Sequence, residues 1–272
     1  MSTASPGTSI AWPLRTWIGV EIFFGVAAMA TIAYAPADTA RHFAWPIKPV
    51  VTAALLGAFY MSSAWVFVLG IFAKRWEMIR AIMIPAILFT FIELVVTFLH
   101  WDRFKVGTTP FNVWFASYLL PPPILAACYW WQQRRANPRT TSNTITQAVR
   151  ILMIVLGVIS VAEGVIALVA PQVLIGAAPW TFTPLTARAL SGWLVLLGSM
   201  LLSAAWENDR DRARIVSPFF ILLLPSVAWQ LSRHAGELNW AHPQILSGGV
   251  VLGINFLIGI HLARGDWRAL FR

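Results

Sequence analysis

Eight stretches of about 20 predominantly apolar residues dominate this sequence and limit what it can fold into. A bilayer core of roughly 30 Å is crossed by about 20 residues in an α-helix. The stretches are continuously apolar rather than alternating, which favours helices over the strands of a membrane barrel. We therefore predict an all-α integral membrane protein with transmembrane helices near 15–34, 49–72, 79–100, 112–131, 148–169, 185–206, 216–233 and 244–263.

The composition also indicates that lipid, rather than water, surrounds most of this chain. Of the 272 residues, 58% are hydrophobic and only 11% are charged, whereas soluble domains carry about 25% charged residues. So few charges cannot cover the surface of a soluble domain of this size. We expect the first stretch to be a retained helix rather than a cleaved signal peptide, because Glu21 interrupts its apolar run and Pro36 follows a cleavage-like Ala33-Tyr34-Ala35.

The chain has a net charge of +9, and most of its basic residues lie on one side of the predicted membrane topology. Cytoplasmic loops of membrane proteins are enriched in Lys and Arg, so we predict a multi-pass cell-membrane protein with both termini in the cytoplasm, and no nucleic-acid partner. The predicted cytoplasmic side holds Arg15, Lys74, Arg75, Arg80, Arg134, Arg135, Arg139, Arg150, Arg210, Arg212, Arg214, Arg264, Arg268 and Arg272. The opposite side holds Arg41, Lys48, Arg103, Lys105, Arg188 and Arg233.

Two segments of the chain share a pattern. Residues 45–58 read WPIKPVVTAALLGA and residues 180–193 read WTFTPLTARALSGW, with Trp, Pro, Ala-Leu and Gly in the same positions. His100 and His234 recur at nearly the same offset. We predict a tandem duplication: four-helix repeats at 1–132 and 147–272, joined by a cytoplasmic linker at 133–146. Repeats of four helices enter the membrane from the same side, so a pseudo-two-fold axis along the membrane normal should relate them.

The shared residues have architectural interpretations. The Trp is expected to be an interfacial anchor, the Pro to open the helix at its first turn, and the Gly to permit close helix packing. Arg188 has no such explanation, because Ala53 occupies its position in the first segment.

The W-x-x-x-P helix entry, the PLTARALSGW run and the HWDRF at 100–104 resemble bacterial, especially actinobacterial, membrane proteins built from duplicated four-helix units. Each unit is also similar to small DoxX-like four-helix proteins. The resemblance implies the fold and no particular activity.

Ionisable groups within a bilayer are the first candidates for function, because a central charge costs about 2.5–3.5 kcal/mol. Glu21, Glu93 and Glu163 lie within the apolar stretches and do not follow the repeat. Each is either a structural group, protonated or paired, or a group that handles protons, cations or a ligand. Glu21 is expected near the cytoplasmic face, and Glu93 and Glu163 in the outer half of the membrane.

Arg188 is predicted to pair with Glu163, because the two lie about one helical turn apart in depth on consecutive helices. The alternatives are snorkelling of Arg188 to the headgroups and the binding of an anion or a headgroup.

His100 and His234 end helices at equivalent positions. Two imidazoles across a pseudo-two-fold axis could hold a metal or haem iron. No further ligand spacing accompanies them, and ordinary interfacial hydrogen bonding is the better account. We predict no cofactor and no metal site.

The fourth helix contains three consecutive prolines, Pro121 to Pro123, which should break it. The eighth is glycine-rich and contains Asn255 near its middle. A broken helix that faces a loosened one indicates a binding site at mid-membrane; a packing kink is the alternative. Four tryptophans within or at the ends of helices could line an apolar pocket: Trp65, Trp193, Trp206 and Trp229.

Three functions fit these features. The first is a non-enzymatic membrane protein, either a scaffold or accessory subunit of a larger complex or a lipid-binding protein. Its partners would be membrane lipids and other membrane subunits. The second is a small secondary transporter with a site near the broken helix and the intramembrane glutamates. The third, an enzyme or haem protein, depends on the two histidines alone.

Overall fold

The computed structural model describes residues 8–136, 143–264 and 267–271. Within these ranges eight helical segments are long and apolar enough to cross a membrane, which confirms the predicted all-α membrane fold. They are α1 (Trp12–Ile32), α2 (Val50–Phe72), α3 (Arg80–Leu99), α4a (Thr109–Leu119) with α4b (Pro121–Arg134), α5 (Gln147–Val169), α6 (Pro184–Glu207), α7 (Ser217–Arg233) and α8 (Pro243–Ala263).

Short helical turns lie between these segments. In the described part of the chain they are Pro36–Asp38, Thr39–His42, Trp76–Met78, Trp101–Arg103, Pro171–Ala177, Arg210–Ala213, Arg214–Val216, Ala235–Glu237 and Trp267–Leu270. The turns at Arg210–Ala213 and Arg214–Val216 lead directly into α7, so the seventh crossing begins earlier than predicted.

The helices begin where the sequence supplies first-turn signals. A proline occupies the first or second position of α1, α4a, α6 and α8, where a missing N–H breaks no helical hydrogen bond. The side chains of Thr108 and Thr183 cap α4a and α6 by accepting hydrogen bonds from the N–H groups of Phe111 and Thr186. These signals explain why most predicted boundaries agree with the structure to within three residues.

The eight crossings pack in pairs. Consecutive helices contact one another as α1 with α2, α3 with α4, α5 with α6 and α7 with α8, while α2 packs against α7 and α3 against α6. The central helix is α6, with 78% of its apolar window buried, whereas α8 has 22% and faces outward. Exchanging the two halves leaves these six contacts unchanged, but the contact of α1 with α4 has no counterpart of similar extent between α5 and α8 in the described part of the chain.

The termini and three connections, α2–α3, α4–α5 and α6–α7, meet at one end of the bundle. The N–H of Trp76 donates to the carbonyl of Thr8 (2.8 Å), and the N–H of Lys74 donates to that of Leu270 (3.3 Å). The predicted division of basic residues between two membrane faces therefore agrees with the helix ends. The assignment of this end to the cytoplasm stays a prediction, and Arg139, Arg272 and part of the 133–146 linker lie outside the described residues.

Two further features repeat between the halves. Arg15 donates to the carbonyls of Ile71 and Ala73 at the end of α2, and Arg150 donates to the carbonyl of Ala205 near the end of α6 (3.0 Å). His100 and His234 end α3 and α7 with nearly identical backbone angles, φ −126° and ψ 28° against φ −122° and ψ 27°. Both agree with a duplication, which stays a prediction together with its symmetry axis.

Candidate functional site

A cavity of about 270 Å³ lies in the first half of the chain. Ligand pockets usually measure about 300–1,000 Å³ and are mostly apolar with a few polar groups. The helices α1, α2, α3 and α4a surround this cavity, and α6 of the second half closes one wall. Its lining residues are Glu21, Ile22, Phe24, Gly25, Ala27, Ala28, Thr31, His42, Phe43, Tyr60, Ser63, Ala64, Phe67, Ala86, Phe89, Thr90, Thr109, Pro110, Val113, Trp114, Ser117, Tyr118, Trp193 and Leu196.

Glu21 supplies a carboxyl group to this cavity. It lies nine residues after Trp12, the first residue of α1, which places it about 14 Å along the helix. The expectation that Glu21 lies near the membrane face is therefore wrong: it sits close to the middle of α1 and is 9% exposed. One carboxyl oxygen, Oε1, accepts a hydrogen bond from the indole N–H of Trp17 at 3.0 Å.

The far end of the cavity lies at the membrane face opposite the termini. Thr31 lies ten residues beyond Glu21 on α1, about 15 Å along the helix. His42 and Thr109 complete this end of the lining and are exposed. The cavity is thus elongated, with a carboxyl group at its inner end and the surface at its outer end.

Aromatic side chains make up a third of the lining, eight of its 24 residues. The hydroxyl groups of Tyr60 and Tyr118 lie 2.5 Å apart and share a hydrogen bond. Trp193 stacks on Phe59 with ring centroids 5.2 Å apart and contacts Phe89 at 4.5 Å. Trp193 is among the predicted pocket tryptophans, whereas neither tyrosine is among the predicted site residues. The available signal was that Tyr118 directly precedes the Leu-Leu-Pro-Pro-Pro break.

The other three predicted pocket tryptophans do not face a pocket. Trp65, Trp206 and Trp229 are 54%, 84% and 40% exposed on the outer surface of the bundle. Their positions suit contact with lipid.

Glu93 lies behind the aromatic wall, in a separate chamber of about 10 Å³, the size of one water molecule. Glu93 is 1% exposed, and neither carboxyl oxygen has a hydrogen-bond partner among the described residues. Trp45 lines the same chamber, and its indole N–H likewise has no partner in the described part of the chain.

The two tryptophans of the repeated segments are not anchors of the same kind. Trp45 is only 2% exposed and packs edge-on against Trp114 (4.8 Å), so its interpretation as an interfacial anchor is wrong. The indole N–H of Trp180 donates to the hydroxyl of Thr52 on α2 at 2.8 Å. In the aligned segments Ala187 corresponds to Thr52, which explains why Trp45 has no equivalent acceptor.

The shared glycines fulfil their predicted packing role. A methyl group on Gly57 would lie 2.5 Å from the α-carbon of Ala33, so no side chain fits there. A methyl group on Gly192 would collide with the Glu93 carboxyl group and lie 3.4 Å from the Phe89 ring. Gly192 therefore makes room for the buried carboxyl group.

Arg188 does not pair with Glu163. Its Nε donates to the carbonyl of Leu168 in the last turn of α5 (2.9 Å), and its Nη1 contacts Nε2 of His100 (2.9 Å). Because a guanidinium only donates, His100 accepts at Nε2 and carries its proton on Nδ1. Arg188 thus joins the end of α3 to the end of α5. Its positive charge also stabilises the carboxyl-terminal end of α5, where the helix dipole is negative.

The surroundings of His100 favour its neutral form. Burial lowers the pKa of His100, and the positive charge of Arg188 lowers it further. His234 lacks an arginine neighbour of this kind, since Ala53 corresponds to Arg188. Its Nδ1 lies 3.2 Å from Glu237, and its Nε2 has no hydrogen-bond partner among the residues that the structure describes.

The described residues contain no group of three or more His, Cys, Asp or Glu side chains that could hold a metal ion. His100 and His234 have different partners and do not form a joint site.

Two other predicted candidates lie away from the cavity. Glu163 is exposed on α5 and has no ion pair among the described residues. Asn255 is buried on α8, where its Nδ2 donates to the carbonyl of Val251 at 3.0 Å. Neither residue lines the cavity.

The predicted break in the fourth helix is present, because α4a ends at Leu119 and α4b starts at Pro121. The cavity lining on α4a ends at Tyr118, beside this break. The prediction that the glycine-rich α8 faces this break is wrong, however. The glycine-rich α8 packs against α7, whereas α4 packs against α3 and α1.

Comparisons with protein-family models, with curated proteins and with solved structures find no match for this chain. The described residues bring Glu21, Glu93 and Trp193 together with the break in the fourth helix, and leave Glu163, Asn255 and His234 outside.

Proposed function

We propose that this protein is a non-enzymatic membrane protein that binds an elongated lipophilic molecule in the cavity between α1 and α4a. The observation that carries the proposal is the shape and chemistry of that cavity. It extends about 15 Å along α1 between Glu21 and Thr31, it is lined by aromatic rings, and it reaches the surface at His42 and Thr109. A molecule from the membrane would bury apolar surface against these rings, and Glu21 would fix one polar group.

The cavity offers a direct test through Gly25, which lines it and whose α-carbon has open space around it. Gly25→Phe would fill the cavity. Gly253→Phe is the matched control, because Gly253 on α8 also has open space around it and does not line the cavity.

The experiment is to purify the three forms from native membranes in lipid nanodiscs and to quantify the co-purified lipophilic molecules by mass spectrometry. We expect one class of molecule, about one per chain, with the wild type and Gly253→Phe, and its loss with Gly25→Phe. The same set of molecules in all three samples would overturn the proposal.

Proton-coupled transport of that molecule is a second candidate. It is favoured by Glu93, a buried carboxyl group with no hydrogen-bond partner in the described ranges, which lies one aromatic layer behind the cavity. Tyr60 borders both the cavity and the chamber of Glu93, and shares its hydroxyl hydrogen bond with Tyr118. These groups could pass a proton between Glu93 and the cavity.

The test of coupling uses proteoliposomes that contain a pH-sensitive dye, with the co-purified molecule added outside. Coupled transport predicts a change in internal pH that Glu21→Gln and Glu93→Gln abolish and that Glu163→Gln, on the outer surface of α5, leaves intact. No pH change beyond that of empty liposomes would leave binding as the function. The role of accessory subunit stays a prediction, as does the duplicated architecture.

A further inference from the structure

We infer that the molecule bound in the cavity is a lipophilic cation, an amine or quaternary ammonium group attached to an apolar body. This inference rests on the proposed function, because it specifies the chemical class of the ligand in that same cavity. Charge, aromatic lining and the free oxygen of Glu21 support it separately.

The charge of the lining is the first argument. Glu21 contributes a carboxyl group, neither lysine nor arginine occurs among the lining residues, and the histidine in the lining, His42, lies at the exposed outer end, away from Glu21. A site for a phosphate headgroup or a fatty acid would need a cation or several N–H donors to hold the anion. The potential in this cavity therefore favours a positive group and opposes a negative one.

The second argument concerns the carboxyl group itself. Trp17 occupies Oε1 of Glu21, while Oε2 has no hydrogen bond within the described residues and is not among the fully buried atoms. The residual exposure of Glu21 in a cavity-lining position leaves Oε2 accessible to a ligand. A cation bound there would neutralise a charge that is costly in the middle of a membrane.

The aromatic lining is the third argument. The faces of Trp, Tyr and Phe rings carry partial negative charge and attract ammonium groups, most strongly when water is excluded. Trp114 and Trp193 both line the cavity, together with Phe24, Phe67 and Phe89. A carboxylate combined with aromatic faces is the chemistry that selects a desolvated ammonium group over a neutral alcohol of the same length.

Three probes with the same alkyl chain and different head groups test the ligand class: dodecyltrimethylammonium, dodecanoate and dodecanol. Their binding to the full chain in nanodiscs is followed by isothermal titration calorimetry, with empty nanodiscs as the reference for partition into lipid. The proteins are the wild type, Glu21→Gln, Gly25→Phe and Gly253→Phe. Thermal unfolding and size-exclusion profiles establish that each variant is folded.

We expect saturable binding of dodecyltrimethylammonium to the wild type and Gly253→Phe, and affinity at least about tenfold lower with Glu21→Gln. Dodecanoate should bind more weakly than either other probe. Equal binding of all three probes, unaffected by Glu21→Gln but lost with Gly25→Phe, would reject the cation and retain the lipophilic site. Binding of the probes that persists in Gly25→Phe would instead reject the cavity as the site.

Discussion

The carboxyl group of Glu93 lies against the α-carbon of Gly192, so that not even a methyl group fits between them. This contact joins α3 of the first half to α6, the central helix. It also places a buried carboxyl group beside Trp193, which forms part of the cavity wall. Glu93 therefore contributes both to the packing between the halves and to the candidate site.

The first prediction concerns this contact. Gly192→Ala should destabilise the protein by about 1–3 kcal/mol, because the added methyl group displaces Glu93 or forces the helices apart. The measurement is thermal unfolding in detergent. Gly253→Ala on the outer surface of α8 is the control, and it should be neutral or stabilising because alanine favours the helix.

A double mutant separates the carboxyl group from the other neighbours of Gly192. In a Glu93→Ala background the methyl group of Gly192→Ala enters vacated space, so its cost should fall by at least half. An unchanged cost would mean that Phe89 or the backbone, rather than Glu93, leaves no space for a methyl group at residue 192.

The second prediction concerns the ion pair between Arg80 and Glu207. Nε and Nη2 of Arg80 each lie 2.5 Å from one oxygen of Glu207, whose side chain is only 4% exposed. The pair connects the start of α3 with the end of α6. A second arginine, Arg212, lies 3.6 Å from Oε2 of Glu207. Glu207→Gln should cost about 3–5 kcal/mol, since removing the carboxylate leaves the positive charges of Arg80 and Arg212 partly buried.

Glu163→Gln is the matched control for Glu207→Gln, because Glu163 is exposed and has no ion pair in the described part of the chain. Its effect should stay within about 0.5 kcal/mol. A similar loss of stability with Glu207→Gln and with Glu163→Gln would mean that the ion pairing of Glu207 does not stabilise the fold.

The sequence predicts the eight crossings well because the bilayer imposes one strong requirement, a run of about 20 apolar residues. Pro184, Pro243 and the Pro121–Pro123 break also leave direct signals in the chain. These features determine where each helix starts, ends or bends.

The pairing of Arg188 could not be predicted in the same way. Depth along two consecutive helices can be counted from the sequence, but the rotation of each helix about its axis cannot. Gly164 faces α6, where a methyl group would meet Ser191 and Val195. Glu163, one residue away, is turned by about 100° and faces outward. The partner that Arg188 finds, His100, comes from the other half of the chain.

The shape and lining of the cavity could not be predicted from the sequence either. It is formed by four helices of the first half and closed by Trp193 of the second. Its aromatic residues are ordinary components of apolar helices, and only their convergence distinguishes them. The aligned segments help in one respect: the difference between Thr52 and Ala187 accounts for the different surroundings of Trp180 and Trp45.

A third prediction tests the hydrogen bond that Trp180 donates to Thr52. Thr52→Val keeps the shape of a fully buried side chain and removes the acceptor. The unpartnered indole N–H should cost about 1–3 kcal/mol in the free energy of unfolding. Thr16→Val, at an exposed position on α1, should have little effect. Equal effects of the two substitutions would show that the hydrogen bond is not a source of stability.

The fourth prediction is a pH dependence set by His100. The pKa of His100 lies below its ordinary value of 6.5, because of burial and then of Arg188, partly opposed by Asp102 and reinforced by Arg103. Folding therefore favours the neutral ring. Its contribution to stability is complete above pH 6.5 and is lost as the pH falls below that value toward the lowered pKa. Protonation also removes the acceptor that Arg188 uses.

The measurement is the midpoint of thermal unfolding in detergent as the pH is lowered from about 7.5 to about 5.5, across the ordinary pKa of histidine. The wild type should lose stability over this interval. His100→Gln supplies an amide oxygen that accepts from Arg188 and does not titrate in this range, so its midpoint should depend less on pH. A wild-type midpoint that falls no more steeply than that of His100→Gln would show that protonation of His100 is not linked to folding.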